Sequence, residues 1–189
     1  MYTTDALVCG SFDRNAADKS YLLFTESLGM VYATARSARE ERSRQRFALQ
    51  DFSFVRVSLV KGKGGWRVGS VVAQENVFQS AIDRDTRGRV IRIVRVLRRF
   101  VSGEEPAGDL YTLTAAALRA LGANHLTHPD AFVDAVTFRM LYQLGYIAPR
   151  AEHYPILTGP IHTLDRDIPS AQLRAIRTAI EKAATASQL

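Results

Sequence analysis

At 189 residues, with 47% hydrophobic and 23% charged residues, the chain has the length and composition of one sizeable domain or two small ones. Its one cysteine, Cys9, excludes an internal disulfide and any zinc site built from cysteines. No segment approaches the roughly 20 consecutive apolar residues of a membrane-spanning helix, and we find no export signal, so we expect a cytoplasmic protein.

The positive charge is concentrated in the first hundred residues. Residues 1–100 hold 18 Lys and Arg against 10 Asp and Glu, a net charge of +8, whereas residues 101–189 hold 7 against 9, a net charge of −2. Clustered basic side chains favour a polyanionic partner, because neutralising phosphates releases their counterions. Arginine outnumbers lysine, which suits bidentate phosphate contacts. A solvated surface without a specific partner is the alternative interpretation.

The first 76 residues show the period-two alternation of half-buried antiparallel strands, separated by turn residues. The longest connection, residues 37–51, follows the third strand and is expected to contain a helix. Five short strands with this spacing predict a β barrel of the oligonucleotide-binding (OB) fold. The predicted strands are residues 5–12, 19–27, 30–36, 52–61 and 66–73.

From residue 77 onwards the apolar period becomes helical, which predicts an all-helical second domain over residues 77–189. The third predicted helix has an apolar stripe that extends beyond one face, so we expect it to be central. Residues 146–168, with three prolines and one glycine, predict an extended connector. The predicted helices are residues 85–102, 109–121, 129–144 and 169–186.

Five arginines follow one another closely at and after the end of the third strand, and we call this segment the arginine loop. Such a segment can track a phosphate backbone. Glu40 and Glu41 dilute its charge, and an exposed helix with i,i+4 ion pairs is the alternative. The arginine loop consists of Arg36, Arg39, Arg42, Arg44 and Arg46.

The outer face of the barrel is a second candidate surface. If Val31, Ala33, Ala35, Val55, Val57 and Leu59 face the core, period two places Tyr21, Tyr32, Arg36 and Arg56 outside. Bases stack on exposed aromatic rings while basic groups hold phosphates. The preference of tyrosine for strands is the alternative explanation. The hairpin between the last two strands adds Lys61, Lys63, Trp66 and Arg67.

A third candidate surface is the first helix, where four arginines recur at spacings of three and four and share one face. These arginines are Arg89, Arg92, Arg95 and Arg99. No acidic residue lies among them, so they repel one another, which favours an anionic ligand. A solvated outer face is the alternative.

We expect no catalytic activity, because no nucleophile elbow, phosphate-binding glycine loop or paired carboxylates in an apolar context are found. The four histidines have no neighbouring Cys or acidic residue at metal-binding spacing, so we expect neither a metal nor another cofactor. An enzyme whose acid–base cluster forms only on folding remains an alternative.

Several motifs in order resemble the RecO family of bacterial recombination mediators. The first is Ala6-Leu7-Val8 followed by the stretch from Asp18 to Gly29. The second runs from Ala35-Arg36-Ser37 through Ser43-Arg44 to Leu49-Gln50-Asp51-Phe52. The last is Leu144-Gly145-Tyr146 with Pro149. The resemblance thus extends from the first strand to about residue 149.

The resemblance implies an N-terminal OB barrel, a helical second domain and no catalytic activity. RecO-like proteins bind single- and double-stranded DNA, contact the single-strand-binding protein, anneal complementary strands, and act with RecR to help load RecA. Many members carry a four-cysteine zinc module after the segment that resembles residues 145–149. This sequence continues there without cysteine, so it resembles a shortened form that lacks the zinc module.

Two other functions fit the same sequence features. An RNA-binding OB module would use the same stacking and phosphate contacts and differ in recognising the 2′-hydroxyl group. A protein-interaction scaffold would use its arginines to bind acidic partners and would have negligible affinity for oligonucleotides. We therefore expect a DNA-binding repair mediator, with these two functions as alternatives.

Overall fold

A computed structural model describes residues 1–38, 40 and 43–187, without the side chain of Arg44. The chain forms two compact units: Met1–Ser80 with Val101–Tyr111, which we call the barrel unit, and Ala81–Phe100 with Thr112–Leu189, which we call the helical unit. The first boundary lies four residues beyond the predicted residue 76. The segment Val101–Tyr111 belongs to the barrel unit although it follows the first long helix.

Five strands close into a barrel in the order β1-β2-β3-β5-β4. β1 pairs antiparallel with both β2 and β4, and β3 and β5 are parallel neighbours. Because this is the strand arrangement of a five-stranded Greek-key barrel, the predicted OB-type fold is confirmed. The strands are β1 (Tyr2–Asp13), β2 (Lys19–Thr25), β3 (Gly29–Ala35), β4 (Ser53–Gly62) and β5 (Gly65–Asn76).

Alternate side chains of the strands fill the barrel interior, as the period-two pattern predicts. The six residues predicted to face the core are buried in one apolar cluster: Val31, Ala33, Ala35, Val55, Val57 and Leu59. Ala6, Val8 and Leu23 join them from β1 and β2. The prediction of the core face is therefore correct for β3 and β4.

A second apolar cluster of the barrel unit lies on the opposite side of the strands. Phe24 of β2 and Phe54 of β4 are both register partners of Leu7 of β1, and all three are fully buried. The ring of Tyr111 lies 5.7 Å from that of Phe24 and 6.4 Å from that of Phe54. The segment Val101–Tyr111 thus packs against this part of the barrel wall.

The link between β3 and β4 contains one short helix, α1 (Arg44–Ala48), in agreement with the predicted helical connection. Ala38 and Leu49 flank α1 and are buried in the barrel core. The link therefore begins and ends with a side chain that anchors it to the barrel.

The second domain is all-helical, as predicted. Its helices are α2 (Arg84–Phe100), α3 (Gly108–Ala123), whose first residues belong to the barrel unit, α4 (Pro129–Gln143), α5 (Tyr154–Thr158) and α6 (Ser170–Ala186). Nine of the fifteen residues of α4 are buried, and α4 packs against α2, α5 and α6, so it is the central helix that its broad apolar stripe predicts.

The connector over residues 146–168 is not extended throughout. It contains α5 and two short 3-10 helices, Ala151–His153 and Ile161–Leu164. Ile156, Leu157 and Leu164 are buried, which explains why the segment folds back as helical turns. In the described ranges, no helix combines the length and apolar character needed to cross a membrane.

Candidate nucleic-acid interface

Two aromatic rings lie exposed on the outer face of β1, β2 and β3. Phe12 of β1 is 42% exposed and Tyr32 of β3 is 64% exposed. Their ring centroids are 6.3 Å apart, with an angle of 46° between the planes. Large aromatic side chains are usually buried, so an exposed pair on a strand surface is an unusual feature that offers bases a place to stack.

Basic side chains border this aromatic pair. Arg14 donates a hydrogen bond to the Thr34 hydroxyl, and Thr34 is the β3 register partner of Arg67 on β5. Arg36 follows the end of β3. Hydrogen bonds from Asn15 and the Ser37 amide lower the pKa of Asp18, and the charges of Arg36 and Arg14 lower it further. We define the aromatic–basic face as Phe12, Arg14, Tyr32, Arg36 and Arg67.

Charged side chains of this face are available to a ligand. Arg14, Arg36 and Arg67 are exposed, and none of them makes an ion pair with another described residue. Lys63, in the tight turn between β4 and β5, is also exposed and makes no ion pair in the same part of the chain. The sequence predicted Tyr32, Arg36, Lys63 and Arg67 but missed Phe12 and Arg14.

A β-bulge explains why Phe12 was missed. The β1–β2 register shifts between Val8 and Gly10, so Cys9 is an extra residue on β1. Strict alternation from the buried residues Ala6 and Val8 would point Phe12 into the barrel. The bulge reverses this and turns Phe12 outward.

Tyr21 does not lie on the outer face, and its predicted place there is wrong. It is 1% exposed, belongs to the barrel core, and is the register partner of Ala33, which also faces inward. Three residues, Glu26 to Leu28, separate β2 from β3, whereas a two-residue hairpin had been predicted. One additional turn residue changes the register and therefore the face on which Tyr21 lies.

Trp66 is likewise buried rather than presented for stacking. It is 5% exposed, and its ring meets the ring of Tyr2 edge-on with centroids 5.4 Å apart. The Lys61 ammonium lies 5.1 Å from the Trp66 ring centroid and 2.6 Å from a carboxylate oxygen of Glu104. This ion pair, and next the Trp66 indole, lower the pKa of Glu104. Lys61 and Trp66 thus have structural partners.

The structure describes Arg56 and two side chains of the arginine loop, Arg36 and Arg46. Arg56 faces outward, as predicted. Its guanidinium donates to both oxygens of the Asp5 carboxylate, and each of the two distances is 3.3 Å, which is long for a hydrogen bond between charged groups. Arg46 is exposed. Arg39 and Arg42, with the side chain of Arg44, lie outside the described residues.

Two of the four arginines predicted on α2 hold helices of the helical unit together. Arg89 donates two hydrogen bonds to Asp130 of α4, at 3.0 and 2.8 Å. Arg92 reaches Asp134 of α4 at 2.6 Å, and Arg177 of α6 reaches the other oxygen of Asp134 at 2.7 Å. The hydrogen bonds between Arg89 and Asp130 raise the pKa of Arg89 and lower the pKa of Asp130. The expectation of uncompensated charge is therefore wrong for Arg89 and Arg92.

Arg99 and Arg95 complete the α2 stripe. Arg99 donates to the Ala184 carbonyl and the Ser187 hydroxyl near the end of α6. Arg95 is exposed and has no hydrogen-bond or ion-pair partner within the described residues. One arginine of the predicted stripe thus remains available to an outside anion.

An apolar groove of about 520 Å³ lies in the helical unit. Its floor includes His153, which is 6% exposed, packs edge-on against Phe138, and has a buried Nδ1 atom without a hydrogen-bond partner among the described residues. Arg150 and Lys182 place positive charge at its rim. The other lining residues are Tyr146, Ile147, Ala148, Ala175, Thr178, Ala179, Ala183 and Ala186.

No group of three or more His, Cys, Asp and Glu side chains that could hold a metal ion occurs among the residues that the structure describes.

The closed five-stranded barrel carries exposed aromatic and basic side chains on one face, the combination of groups that oligonucleotide-binding barrels use. Residues 1–71 match the family described as "Recombination protein O N terminal". Residues 1–71 therefore form a domain of this family.

Individual relatives agree with this assignment. The DNA repair protein RecO of Desulfitobacterium hafniense (strain DSM 10664 / DCB-2) is 30% identical over 118 residues, which cover 62% of this chain and 43% of the relative. RecO of Myxococcus xanthus (strain DK1622) is 28% identical over 148 residues, covering 78% and 57%. RecO of Thermobifida fusca (strain YX) is 30% identical over 156 residues, covering 80% and 63%. The chain spans about half the length of the first of these curated relatives.

Proposed function

We propose that the chain is a non-enzymatic, cytoplasmic DNA-binding mediator of recombinational repair that binds single- and double-stranded DNA through its barrel unit. It anneals complementary strands and acts with RecR and the single-strand-binding protein to help load RecA. The family of residues 1–71 and the names of the relatives support the connection with DNA repair. The excess positive charge of residues 1–100 supports a polyanionic ligand.

The observation that carries the proposal is the aromatic–basic face. Stacking on Phe12 and Tyr32 does not depend on base identity, since every base has a π-face. Arg14, Arg36 and Arg67 border the two rings and make no ion pair with another described residue, so their charges can pair with phosphates. The same combination suits a protein that acts on many different DNA sequences. The arginine loop, which continues from Arg36, is proposed to extend this surface along the backbone.

The first test measures binding of a fluorescent 15-nucleotide all-thymine strand to the full chain. Replacing both Phe12 and Tyr32 by alanine should weaken binding at least about fivefold, because stacking contributes about 1–3 kcal/mol per base. Replacing Arg36 and Arg67 by glutamine should reduce the slope of log K against log salt by about 1.4, since each phosphate contact on a single strand contributes about 0.7. Replacing Arg39, Arg42, Arg44 and Arg46 together should reduce it further.

A matched control removes two exposed arginines of the helical unit, Arg98→Gln with Arg174→Gln, and should leave affinity and slope close to those of the parent protein. An equal loss in this control would reject the barrel face as the binding surface. Preferential displacement of the DNA by RNA of the same sequence would favour the RNA-binding alternative. Negligible affinity for both nucleic acids at physiological salt would favour the scaffold.

We further propose that the apolar groove receives the acidic, apolar tail of the single-strand-binding protein. The groove combines an apolar lining, largely alanines of α6, with the positive charges of Arg150 and Lys182, which complement a segment carrying apolar side chains and carboxylates.

The second test measures binding of a synthetic acidic peptide with an apolar carboxyl end. Lys182→Glu should weaken binding about tenfold, because it replaces an attraction at the groove rim by a repulsion. Ala179→Leu should weaken it as well, because the larger side chain occupies the groove. Arg174→Glu, an exposed charge reversal on α6 outside the groove, is the matched control and should change affinity less than twofold. Equal losses for Lys182→Glu and Arg174→Glu would contradict this assignment.

A further inference from the structure

A polar cleft of about 520 Å³ lies in the barrel unit, separate from the aromatic–basic face. The end of β1, the start of β2 and the residues on both sides of α1 form its walls. Its lining mixes both signs of charge with hydroxyl and amide groups. The lining residues are Ser11, Asp13, Lys19, Tyr21, Ala38, Arg46, Leu49, Gln50 and Asp51.

Tyr21 forms part of the cleft although its ring belongs to the barrel core. The side chain is 1% exposed and lines the cleft. A tyrosine hydroxyl at the wall of a cleft can donate a hydrogen bond to a ligand. Burial, and next the Asp51 carboxylate, raise the pKa of Tyr21. The hydroxyl therefore keeps its proton at neutral pH and is a donor.

The cleft also contains carboxylates, which repel phosphate. Asp51 is exposed and makes no ion pair with the described part of the chain. Asp13 lies 4.0 Å from the Lys19 ammonium. Carboxylates accept hydrogen bonds, so they suit a ligand that presents N–H groups. Arg46, at the edge of the same cleft, suits an anionic group attached to that ligand.

Among the parts of a DNA strand, a base with an exocyclic amino group next to a ring acceptor fits this arrangement. Cytosine and adenine present this pair of groups on their Watson–Crick edges. Carboxylates accept from the amino group of cytosine, whereas thymine presents a carbonyl oxygen in place of the amino group and an N–H donor in place of the ring acceptor. Thymine would therefore place an acceptor against the carboxylate.

Resting on the proposed binding of single-stranded DNA, we propose that this cleft holds one unstacked cytosine or adenine. The amino group of the base donates to Asp51, its ring nitrogen accepts from the Tyr21 hydroxyl, and Arg46 contacts the adjoining phosphate. The aromatic–basic face binds any sequence, and the cleft adds a preference for amino-bearing bases.

The test compares 15-nucleotide strands of alternating thymine and cytosine with all-thymine strands. The parent protein should bind the alternating strand at least about fivefold more tightly, the low end of what one good base contact discriminates. An all-deoxyuridine strand should bind like the all-thymine strand, which separates the amino group from the thymine methyl. Tyr21→Phe and Asp51→Asn should each bring the affinity ratio close to one.

The ratio is the decisive quantity, because neutralising a carboxylate raises the affinity for every strand. Tyr2→Phe and Glu26→Gln are matched controls that remove a hydroxyl and an exposed carboxylate elsewhere in the barrel unit, and they should preserve the ratio. Failure of all strands to bind would overturn the proposed function. Tight, salt-dependent binding with equal affinities in the parent protein, or a ratio unchanged by Tyr21→Phe and Asp51→Asn, would overturn only the cleft.

Discussion

Replacing Gly29 by alanine should destabilise the barrel unit by about 3 kcal/mol, because it combines backbone strain with a steric clash. Gly29 has a φ of +67°, in the left-handed region. A Cβ atom there would overlap the Glu105 carbonyl oxygen and lie 3.0 Å from the Gly103 carbonyl oxygen. These are backbone atoms of the segment that packs on the barrel, and Gly103 also accepts a hydrogen bond of 3.0 Å from the Met30 amide.

Substitutions at two other glycines measure the cost of backbone strain separately from the cost of the steric clash. Gly65 has a φ of +93° with nothing within 4 Å of a Cβ, so Gly65→Ala should cost only the strain, about 1 kcal/mol. Gly64 shows neither feature, and Gly64→Ala should leave stability nearly unchanged. Denaturant unfolding followed by tryptophan fluorescence measures all three, because the one tryptophan, Trp66, lies in the barrel core. A midpoint for Gly29→Ala equal to that of Gly64→Ala would disprove the clash.

Asp134→Ala should destabilise the helical unit by about 2 kcal/mol, the range of hydrogen bonds to charged groups. The Asp134 side chain is 5% exposed and accepts from Arg92 of α2 and Arg177 of α6, so one carboxylate joins three helices. The two arginine side chains are about half exposed and regain water when the carboxylate is removed, which limits the loss. Thermal unfolding followed by helical circular dichroism measures the effect.

Asp130→Ala is the matched control, since Asp130 contacts Arg89 and Arg92 but its side chain is 57% exposed. Its effect should fall more steeply at 1 M salt than that of Asp134→Ala, because the Asp130 carboxylate is the more exposed of the two. Arg89 lowers the pKa of Asp130, so the stabilisation from Asp130 is complete above its ordinary pKa of 3.8 and is lost as pH falls through the lowered value. Equal salt sensitivity of the two variants would contradict the different burial of the two carboxylates.

The strands and the long helices could be predicted from the sequence, because apolar periodicity reports which faces are buried. Which face a particular residue occupies was harder to predict. One extra turn residue between β2 and β3 reversed the face of Tyr21, and the bulge at Cys9 reversed that of Phe12. Such single-residue shifts leave the hydrophobic pattern almost unchanged, so they become visible only when the pairing register is known.

Charge clusters were the other source of error. The arginines of α2 have no acidic neighbours along the helix, but Asp130 and Asp134 lie 41 and 42 positions beyond Arg89 and Arg92. Sequence reasoning detects i,i+4 pairs within one helix and has no access to pairs formed between helices. Arg36, by contrast, lies exposed on the outside of the barrel, as the period-two pattern predicted.

The barrel has one sparsely paired seam. Ala33 with Trp66 and Thr34 with Arg67 are the two residue pairs that join β3 to β5, and they are parallel, the less stable pairing per residue. Local opening of the barrel should therefore begin between β3 and β5. Arg67 and Tyr32 belong to the two strands that meet there, so DNA bound across the aromatic–basic face would span the opening. A ligand that binds only the closed barrel stabilises it by mass action, which links DNA occupancy to barrel closure.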